Sequence, residues 1–308
     1  MKRETLLKMA EDYVMTSPFN NIGPHTRDAE NYYGLHIFDK PLMCIGRADD
    51  PMWKVLQKPE AVGPQMALPT EWVPGAKSVI SFFFPACKKI KEETAKDKEY
   101  VPKEWLFART DAQWVMFSLL GIISDELRKE GYKACVPSDD PRFTFRGSLK
   151  EPAYGGRLSN FQEYGIPEEY EAYTKTDAYA RIQSMDFPLY NSNWSERHTA
   201  FVCGLGTFSI STNLITEKGC SGRFLSIVTD WESEEYDERP YKDYMEYCNR
   251  CGACIKCCPG HAMDETGKDK KRCHDYFQGI LYSYDYIPRY GCGKCQTNMP
   301  CDGGIPGR

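Results

Sequence analysis

Hydrophobic and polar residues follow two different periods along most of the chain. Residues 111–131 carry apolar side chains at helical spacing, with Asp111 as a candidate N-cap and Gly131 as a stop, which predicts a helix. The apolar run at 79–84 follows a Pro-Gly turn and predicts a buried strand. The segment "YKACVP" at 132–137 predicts the next strand. This alternation indicates a fold that mixes α-helices and β-strands.

The N-terminal segment and two charged stretches have patterns of their own. Residues 1–18 predict an amphipathic helix and lack the continuous apolar core of a secretion signal. No segment reaches the roughly eighteen consecutive apolar residues that a membrane span needs, so we expect a cytoplasmic protein without a membrane partner. Residues 88–104 and 231–239 are charge-rich and predict solvated helices or loops. The second stretch is the expected boundary between domains at 1–240 and 241–308.

Composition and charge narrow the classes of function. A chain of 308 residues with 41% apolar residues can build one large domain with a sizeable core and a second, smaller domain. The formal net charge of −5 argues against a broad phosphate-binding surface, so nucleic acid is not the expected partner. Fourteen cysteines in a reducing compartment are better explained as metal ligands and buried thiols than as disulfides.

The strongest chemical signal is a run of cysteines near the C-terminus, Cys248-x2-Cys251-x2-Cys254-x3-Cys258-Pro259. Three thiolates at this spacing can bind three corners of a cubane cluster, while the fourth points towards a different cluster, as in bacterial ferredoxins. Zinc sites use separated cysteine pairs and often histidine, and the spacing therefore disfavours zinc. Reduced core thiols are the other alternative.

A second cluster requires further cysteines, which the C-terminal region supplies. Together with the run above, the candidate ligands are Cys273, Cys292, Cys295 and Cys301. Cys257 is adjacent to Cys258, should point elsewhere, and is predicted to be a spectator. The remaining cysteines lie in apolar or strand-like contexts without paired spacing and are predicted to be buried structural thiols: Cys44, Cys87, Cys135, Cys203 and Cys220.

The order of the cysteines resembles the iron–sulfur module of epoxyqueuosine reductases and reductive dehalogenases, which are cobalamin-dependent enzymes with two [4Fe–4S] clusters. The resemblance extends to "WSERHTAFVCGLGTFSISTNLITEKGCSGRFLSIVTD" at 194–230, and to "PGAKSVISFFFP" and "LRKEGYKACVP" in the N-terminal half. It implies that one cluster is bound by Cys248, Cys251, Cys254 and Cys301 (the first cysteine set). It implies that the other is bound by Cys258, Cys273, Cys292 and Cys295 (the second cysteine set).

The resemblance also implies a fold and an activity. The fold is α+β, with a nitroreductase-like cobalamin- and substrate-binding domain at 1–240 and a small bacterial-ferredoxin-like 2[4Fe–4S] domain at 241–308. The activity is that of an oxidoreductase, in which a low-potential donor such as ferredoxin or flavodoxin reduces cobalamin to Co(I) through both clusters. An electron-transfer protein or corrinoid reactivator without its own substrate is the alternative, and the long N-terminal part disfavours it.

The family builds its corrinoid pocket from the segment that corresponds to 194–230. The residues implied to bind the cofactor are Asn193, Glu196, Arg197, Gly204, Leu205, Gly206, Thr207 and Asn213. On the residues alone, Glu196 and Arg197 could equally form a surface ion pair, and the two glycines could form a helix-ending turn. Lys218 and Arg223 could neutralise a cofactor phosphate or face solvent.

Three departures separate the chain from the family pattern. The second cluster run ends in Cys295-x5-Cys301, where the family more often has three intervening residues. The sequence ends at Arg308, without the helical-repeat extension of many epoxyqueuosine reductases. Tyr190 stands where the tRNA-modifying enzymes place a catalytic aspartate. The last two departures favour a small-molecule substrate over tRNA.

Tyr190 is the predicted proton donor, because reductive dehalogenases are similar in using a tyrosine for this step. Its alternative role is that of an ordinary amphipathic tyrosine. The next candidates for the donor are Asp186, Glu196 and His198, although a lone histidine beside an apolar helix is more often structural.

Overall fold

Helices and short strands alternate along the chain. The computed structural model describes residues 1–146, 154–155, 175–176, 180, 184, 189–284 and 289–308. Its helices are α1 (Arg3–Thr16), α2 (Met52–Leu56), α3 (Pro69–Trp72), α4 (Lys88–Ala95), α5 (Lys103–Leu106), α6 (Gln113–Lys129), α7 (Glu196–Val202), α8 (Ala253–Lys256) and α9 (Lys270–Tyr284). Its strands are β1 (Leu42–Arg47), β2 (Ser78–Pro85), β3 (Ala134–Cys135), β4 (Thr144–Arg146), β5 (Tyr154–Gly155), β6 (Asn191–Ser192), β7 (Thr207–Phe208), β8 (Leu214–Ile215), β9 (Gly222–Thr229), β10 (Met263–Asp264) and β11 (Gly267–Lys268).

A four-stranded antiparallel sheet with the order β1-β2-β9-β3 forms the centre of the fold. Strand β2 is buried at every position, which confirms the buried strand predicted at 79–84. Its side chains alternate between the two faces, so that Ile80, Phe82 and Phe84 enter one hydrophobic core while Val79 and Phe83 enter another. The sheet thus separates two cores, which we call the first and the second core.

The first core is covered by α1 and α6. Helix α1 contributes Leu6, Ala10 and Val14, which repeat every four residues and form the buried face of the predicted amphipathic helix. Helix α6 begins at Gln113 after a π-helical turn at Phe107–Asp111 and ends before Gly131, whose φ of 92° fits the predicted stop.

The predicted N-cap of α6 is wrong. The carboxylate of Asp111 accepts from Arg289 Nε at 2.7 Å instead, and this contact joins residues far apart in the sequence.

The second core joins the sheet to the cysteine-rich region. The rings of Trp53 and Trp194 stack at 5.5 Å within it, and α7 packs against the same cluster. Tyr247, Cys254 and Met299 from the C-terminal region are buried in this core as well. The two expected domains are therefore in direct hydrophobic contact.

The charged segment at 231–239 is less solvated than predicted. The Asp237 carboxylate accepts from the backbone N–H of Ile45 and from Arg3, and Arg239 pairs with Asp50 at 2.6 Å. These contacts attach the segment to β1 and α2. The charged stretch at 88–104 forms α4 and α5, as the charge pattern predicted.

None of the helices in the described ranges combines the length and the apolar character that crossing a bilayer would require.

Candidate functional site

The first cysteine set lines a small cavity between the segment 209–215 and the loop that leads into α8. The cavity wall carries the side chains of Cys248, Cys251, Cys254 and Cys301. Gly252 precedes α8 with a φ of 71°, and this left-handed conformation lets the chain reverse between two of the cysteines. The backbone N–H of Cys220 donates to the carbonyl of Cys301 at 2.9 Å and holds the last cysteine in place.

The second cysteine set lines a larger cavity of about 180 Å³. Its wall carries Cys258, Cys273, Cys292 and Cys295, which come from the loop after α8, from α9 and from the turn that follows. The turn packs closely on Trp105. Gly293 has a φ of 74°, and a Cβ added there would lie 2.1 Å from Cε2 of that indole. Only glycine allows this approach.

Electrostatics link the two sets. Burial, followed by the charge of the neighbouring Cys295 from the other set, raises the pKa of Cys254 to about 11. Burial raises the pKa of Cys292 to about 12. Burial also raises the pKa of Cys273. The positive charge of Lys268 and its hydrogen bond to this thiol act to lower that pKa and so favour the thiolate. Buried thiols of this kind ionise readily only when a metal replaces the proton.

The four cysteines at each cavity are the kind of donor set that a [4Fe–4S] cluster uses. In the described part of the chain, no three histidine, cysteine, aspartate or glutamate side chains converge as a mononuclear metal site requires. A [4Fe–4S] cluster is instead held by four cysteines at separate corners, around the walls of a cavity. Each cavity carries four cysteines, which is the number that such a cluster needs.

Two further cysteines lie close to these sets. The Cys257 thiol donates to the carbonyls of Cys254 and Lys294, and Cys257 is absent from the described linings of both cavities, although its spectator role stays a prediction. Cys220 Sγ lies 3.8 Å from Cys301 Sγ, a proximity that the sequence spacing does not indicate. The remaining predicted structural thiols are buried, except Cys44, which is partly exposed.

Two of the predicted cofactor residues line the larger cavity, namely Arg197 and Asn213. The Asn213 amide donates to the carbonyl of Cys295 at 2.9 Å and lies 3.4 Å from its Sγ. The amide therefore positions a cysteine of the second set and directs a donor at its sulfur.

The other predicted cofactor residues are absent from the described linings of both cavities and have internal roles. Asn193 is buried, accepts from the N–H of Thr144 and donates to the carbonyl of Arg142. Thr207 accepts from the backbone N–H of Tyr247 and so ties the cysteine-rich region to β7.

The Gly204-Leu205-Gly206 segment is a helix-ending turn, the alternative that the residues alone left open. Gly204 has a φ of 97°, and the backbone N–H of Leu205 donates back to Ala200 in α7. A Cβ on Gly206 would lie 2.0 Å from the carbonyl oxygen of Ile215, so this glycine permits close packing against β8.

Glu196 and Arg197 do not form the ion pair that the sequence allowed. The Glu196 carboxylate points into the protein and accepts from Ser138 and Ser226, while Arg197 lines the cavity. Burial raises the pKa of Glu196 to about 7.

The candidate proton donors that the structure describes are absent from the described lining of the larger cavity. The Tyr190 ring lies 4.9 Å from the His274 ring, and Tyr190 is not part of the described lining. His198 Nδ1 lies 2.7 Å from Ser195 Oγ, and burial lowers its pKa to about 4, which agrees with a structural role. Asp186 lies outside the described residues.

Sequence reasoning missed part of the larger cavity's wall. Arg109 and Tyr290 line it, and Arg223 does so as well, so that Arg223 faces the cavity and its predicted contact with a cofactor phosphate stays a prediction. Lys218 instead faces solvent, because its ammonium group donates to the carbonyl of Lys40 at an exposed position. Arg109 and Tyr290 follow no local motif, so only the tertiary fold brings them to the cysteines.

Several solved structures are similar to this chain. The epoxyqueuosine reductase from Streptococcus thermophilus superposes with a TM-score of 0.51 and 14% identity, over 99% of this chain and 67% of the enzyme. The chain shares that fold. The epoxyqueuosine reductase from Bacillus subtilis gives a TM-score of 0.48 and 16% identity over 87% of this chain, which spans 63% of that enzyme. A catabolic reductive dehalogenase, NpRdhA, gives 0.44 and 14% over 98% of this chain and 37% of the dehalogenase.

The similarity is found in structure and not in sequence. No protein-family model matches the chain, and no curated protein matches it in sequence. At this level of identity the likeness to the Streptococcus thermophilus enzyme shows a shared mixed α and β fold and nothing further.

Proposed function

We propose that the protein is an iron–sulfur oxidoreductase that delivers electrons through two [4Fe–4S] clusters to a bound corrinoid, for the reduction of a small molecule. The first cysteine set holds one cluster and the second set holds the other. Residues 1–240 form a nitroreductase-like domain and 241–308 a ferredoxin-like domain. A low-potential ferredoxin or flavodoxin supplies the electrons.

The observation that carries this proposal is the sorting of the cysteines between the two cavities. The four cysteines of the first set line the smaller cavity, and the four cysteines of the second set line the larger cavity. The two described linings share no cysteine. The charge of Cys295 in one set acts on the thiol of Cys254 in the other, so the two sets lie near each other, as electron transfer between the clusters requires.

The protein's own residues prepare the second cluster site. Lys268 and Arg197 lie near the thiolates and offset their negative charge. The Asn213 amide is directed at the sulfur of Cys295, and hydrogen bonds to cluster sulfurs raise the reduction potential. The rings of Trp105 and Phe277 line the cavity and keep water from the cluster.

The corrinoid part of the proposal rests on the family resemblance and on two residues. Arg197 and Asn213 lie at the cavity next to the second cysteine set, where they would contact a corrinoid and its amide side chains. When bound, the corrinoid would supply a strongly reducing cobalt centre. The other predicted residues shape the surrounding fold. Tyr190 stays a predicted proton donor.

Anaerobic purification tests the proposal. We expect about eight irons and eight sulfides per chain, a visible spectrum typical of [4Fe–4S] clusters, and cobalamin that stays bound through gel filtration. Cys254→Ser should lose about half of the iron, and Cys257→Ser is the matched control that should keep it. Equal losses in both variants would contradict the ligand assignment.

The other outcomes select between the competing functions. A protein with full iron that retains no corrinoid would be an electron-transfer protein or a corrinoid reactivator. A colourless protein that contains zinc would exclude the redox function.

A further inference from the structure

Three arginines meet at the wall of the larger cavity. Arg109 comes from the π-helical turn before α6, Arg197 from the first turn of α7, and Arg223 from the start of β9. Arg109 lowers the pKa of both other guanidinium groups, which shows that the three positive charges are close together. No carboxylate in the described part of the chain lies within ion-pair distance of any of them.

Two of these arginines have donors without acceptors. Arg109 Nη1 and Arg223 Nε are buried, and no hydrogen-bond acceptor contacts either atom in the described structure. Glu196 is the nearest candidate partner for Arg223, but its two carboxylate oxygens already accept from Ser138 and Ser226. A buried guanidinium group with unused donors is costly, so a bound acceptor would stabilise the site.

The three arginines differ in the charged groups around them. The negative charge of Cys295 acts on the guanidinium group of Arg197. The charges that act most on Arg223 are Arg109, Tyr290, Arg197 and Glu196, with no cysteine among them. The Arg109 guanidinium lies over the ring of Tyr290, 4.4 Å from its centroid. Arg109 and Arg223 therefore lie close to each other and to Tyr290 at the wall of the cavity.

The backbone supports a built site at this end. Arg109 lies in a π-helical turn, a feature that frequently occurs at functional sites. Gly291 has a φ of 122°, and a Cβ added there would lie 3.2 Å from Cγ of Arg109. The glycine therefore leaves room for the arginine stem between α5 and the cysteine turn.

From this geometry we infer that Arg109 and Arg223 form an oxyanion subsite, which binds a carboxylate or phosphate group of a small molecule in the larger cavity. Arginine suits this role because its planar fork donates two parallel hydrogen bonds to such a group. The cavity of about 180 Å³ also includes the space beside the second cysteine set that the proposed cluster would fill, so the subsite has room only for the anionic group of a ligand. The inference specifies the ligand class of the proposed oxidoreductase and rests on that function for the reaction, while anion binding itself requires only the arginines.

The direct test measures anion binding to the cluster-loaded protein by anaerobic calorimetry. The probes are benzoate and inorganic phosphate, with benzamide as the neutral counterpart of benzoate. We expect saturable binding of both anions, weakened at least about tenfold in Arg223→Gln and in Arg109→Gln, because each loses a charged hydrogen bond. Benzamide should bind weakly and equally to all forms.

Two further variants serve as controls for the expected loss of anion binding. Arg128→Gln removes a surface arginine that pairs with Asp125, and it should leave anion binding unchanged. Arg223→Lys keeps the charge but loses the fork, and it should fall between the wild type and Arg223→Gln. Wild-type protein without saturable anion binding, or equal affinities in Arg223→Gln and Arg128→Gln, would overturn the subsite.

A corrinoid comparison identifies the source of the anion. Cobalamin carries a phosphate in its nucleotide tail and cobinamide lacks it. If Arg223→Gln weakens cobalamin but not cobinamide, the subsite takes the cofactor's phosphate; if it weakens benzoate and neither corrinoid, the subsite takes a substrate anion. Loss of iron and corrinoid binding with intact anion binding would contradict the proposed function and leave the subsite standing.

Discussion

At the residue scale, Glu196 and Arg197 show how adjacent residues can serve different parts of the molecule. Successive positions on a helix point about 100° apart, so one side chain enters the second core while the next reaches the cavity. The sequence offered a surface ion pair, but the structure gives Glu196 two serine hydroxyls and leaves Arg197 facing the cysteines. The carboxyl group is therefore hydrogen-bonded by uncharged hydroxyl groups and not paired with the adjacent arginine.

Glu196 should make the folded protein less stable as the pH rises. Its folded-state pKa is raised from 4.5 to about 7, so the folded state binds more protons than the unfolded state between these values. The stability that Glu196 contributes is fully present below a pH of 4.5, the ordinary pKa, and it is lost as the pH rises past the folded-state pKa of about 7. The free energy of unfolding should fall by about 1 kcal/mol from about pH 6 to about pH 8 because of this group alone.

Urea denaturation of the cluster-loaded protein at both pH values measures this effect. Glu196→Gln should remove that part of the pH dependence, because the amide cannot ionise. A variant with the same slope as the wild type would show that Glu196 is not the titrating group.

Some residues of the candidate site could be predicted from the sequence, and others could not. The family resemblance implied the division of the cysteines into two sets, and the two cavities group the cysteines in the same way. Arg109 and Tyr290 could not be predicted, because they belong to separate elements that meet only in the folded protein. Of the eight predicted cofactor residues, Arg197 and Asn213 line the cavity. Asn193, Thr207 and Gly206 instead make internal contacts in this structure.

At the element scale, the local sequence pattern predicted where helices and strands form, but tertiary contacts determined where some of them begin. Strand β2 was predictable because a run of apolar residues can be buried on both faces only inside a covered sheet. The start of α6 could not be predicted, because Asp111 pairs with Arg289 from the C-terminal region and the turn before α6 is π-helical. Arg109 owes its place at the cavity to that turn.

The turn that carries Cys292 and Cys295 should depend on glycine. In Gly293→Ala, the new Cβ would meet the indole of Trp105 at 2.1 Å, and the φ of 74° would add backbone strain. We expect the second cluster to be lost and iron to fall by about half, as measured by iron analysis and the visible spectrum. Gly279→Ala is the matched control, because a Cβ there has no neighbour within 4 Å. Full iron in Gly293→Ala would show that the turn can adjust.

At the scale of the whole molecule, the cysteine-rich region and the rest of the chain share one hydrophobic core. Tyr247, Cys254 and Met299 are buried with Trp53 and Trp194, and Lys294 donates to the carbonyls of Thr94 and Asp97. The region around the clusters is therefore a wall of the larger part of the protein, and a metal that orders this region should stabilise both parts.

The tryptophans make this coupling measurable. All six precede residue 241, so tryptophan fluorescence reports on the larger part alone. We expect chelation of the iron to lower the thermal midpoint seen by fluorescence, because loss of the clusters loosens the cysteine segments that cover the second core. Cys254→Ser should lower it as well, whereas Cys257→Ser should resemble the wild type. A fluorescence midpoint that is unchanged when iron is removed would mean that the region before 241 folds independently, and that its contact with the cluster region adds little to stability.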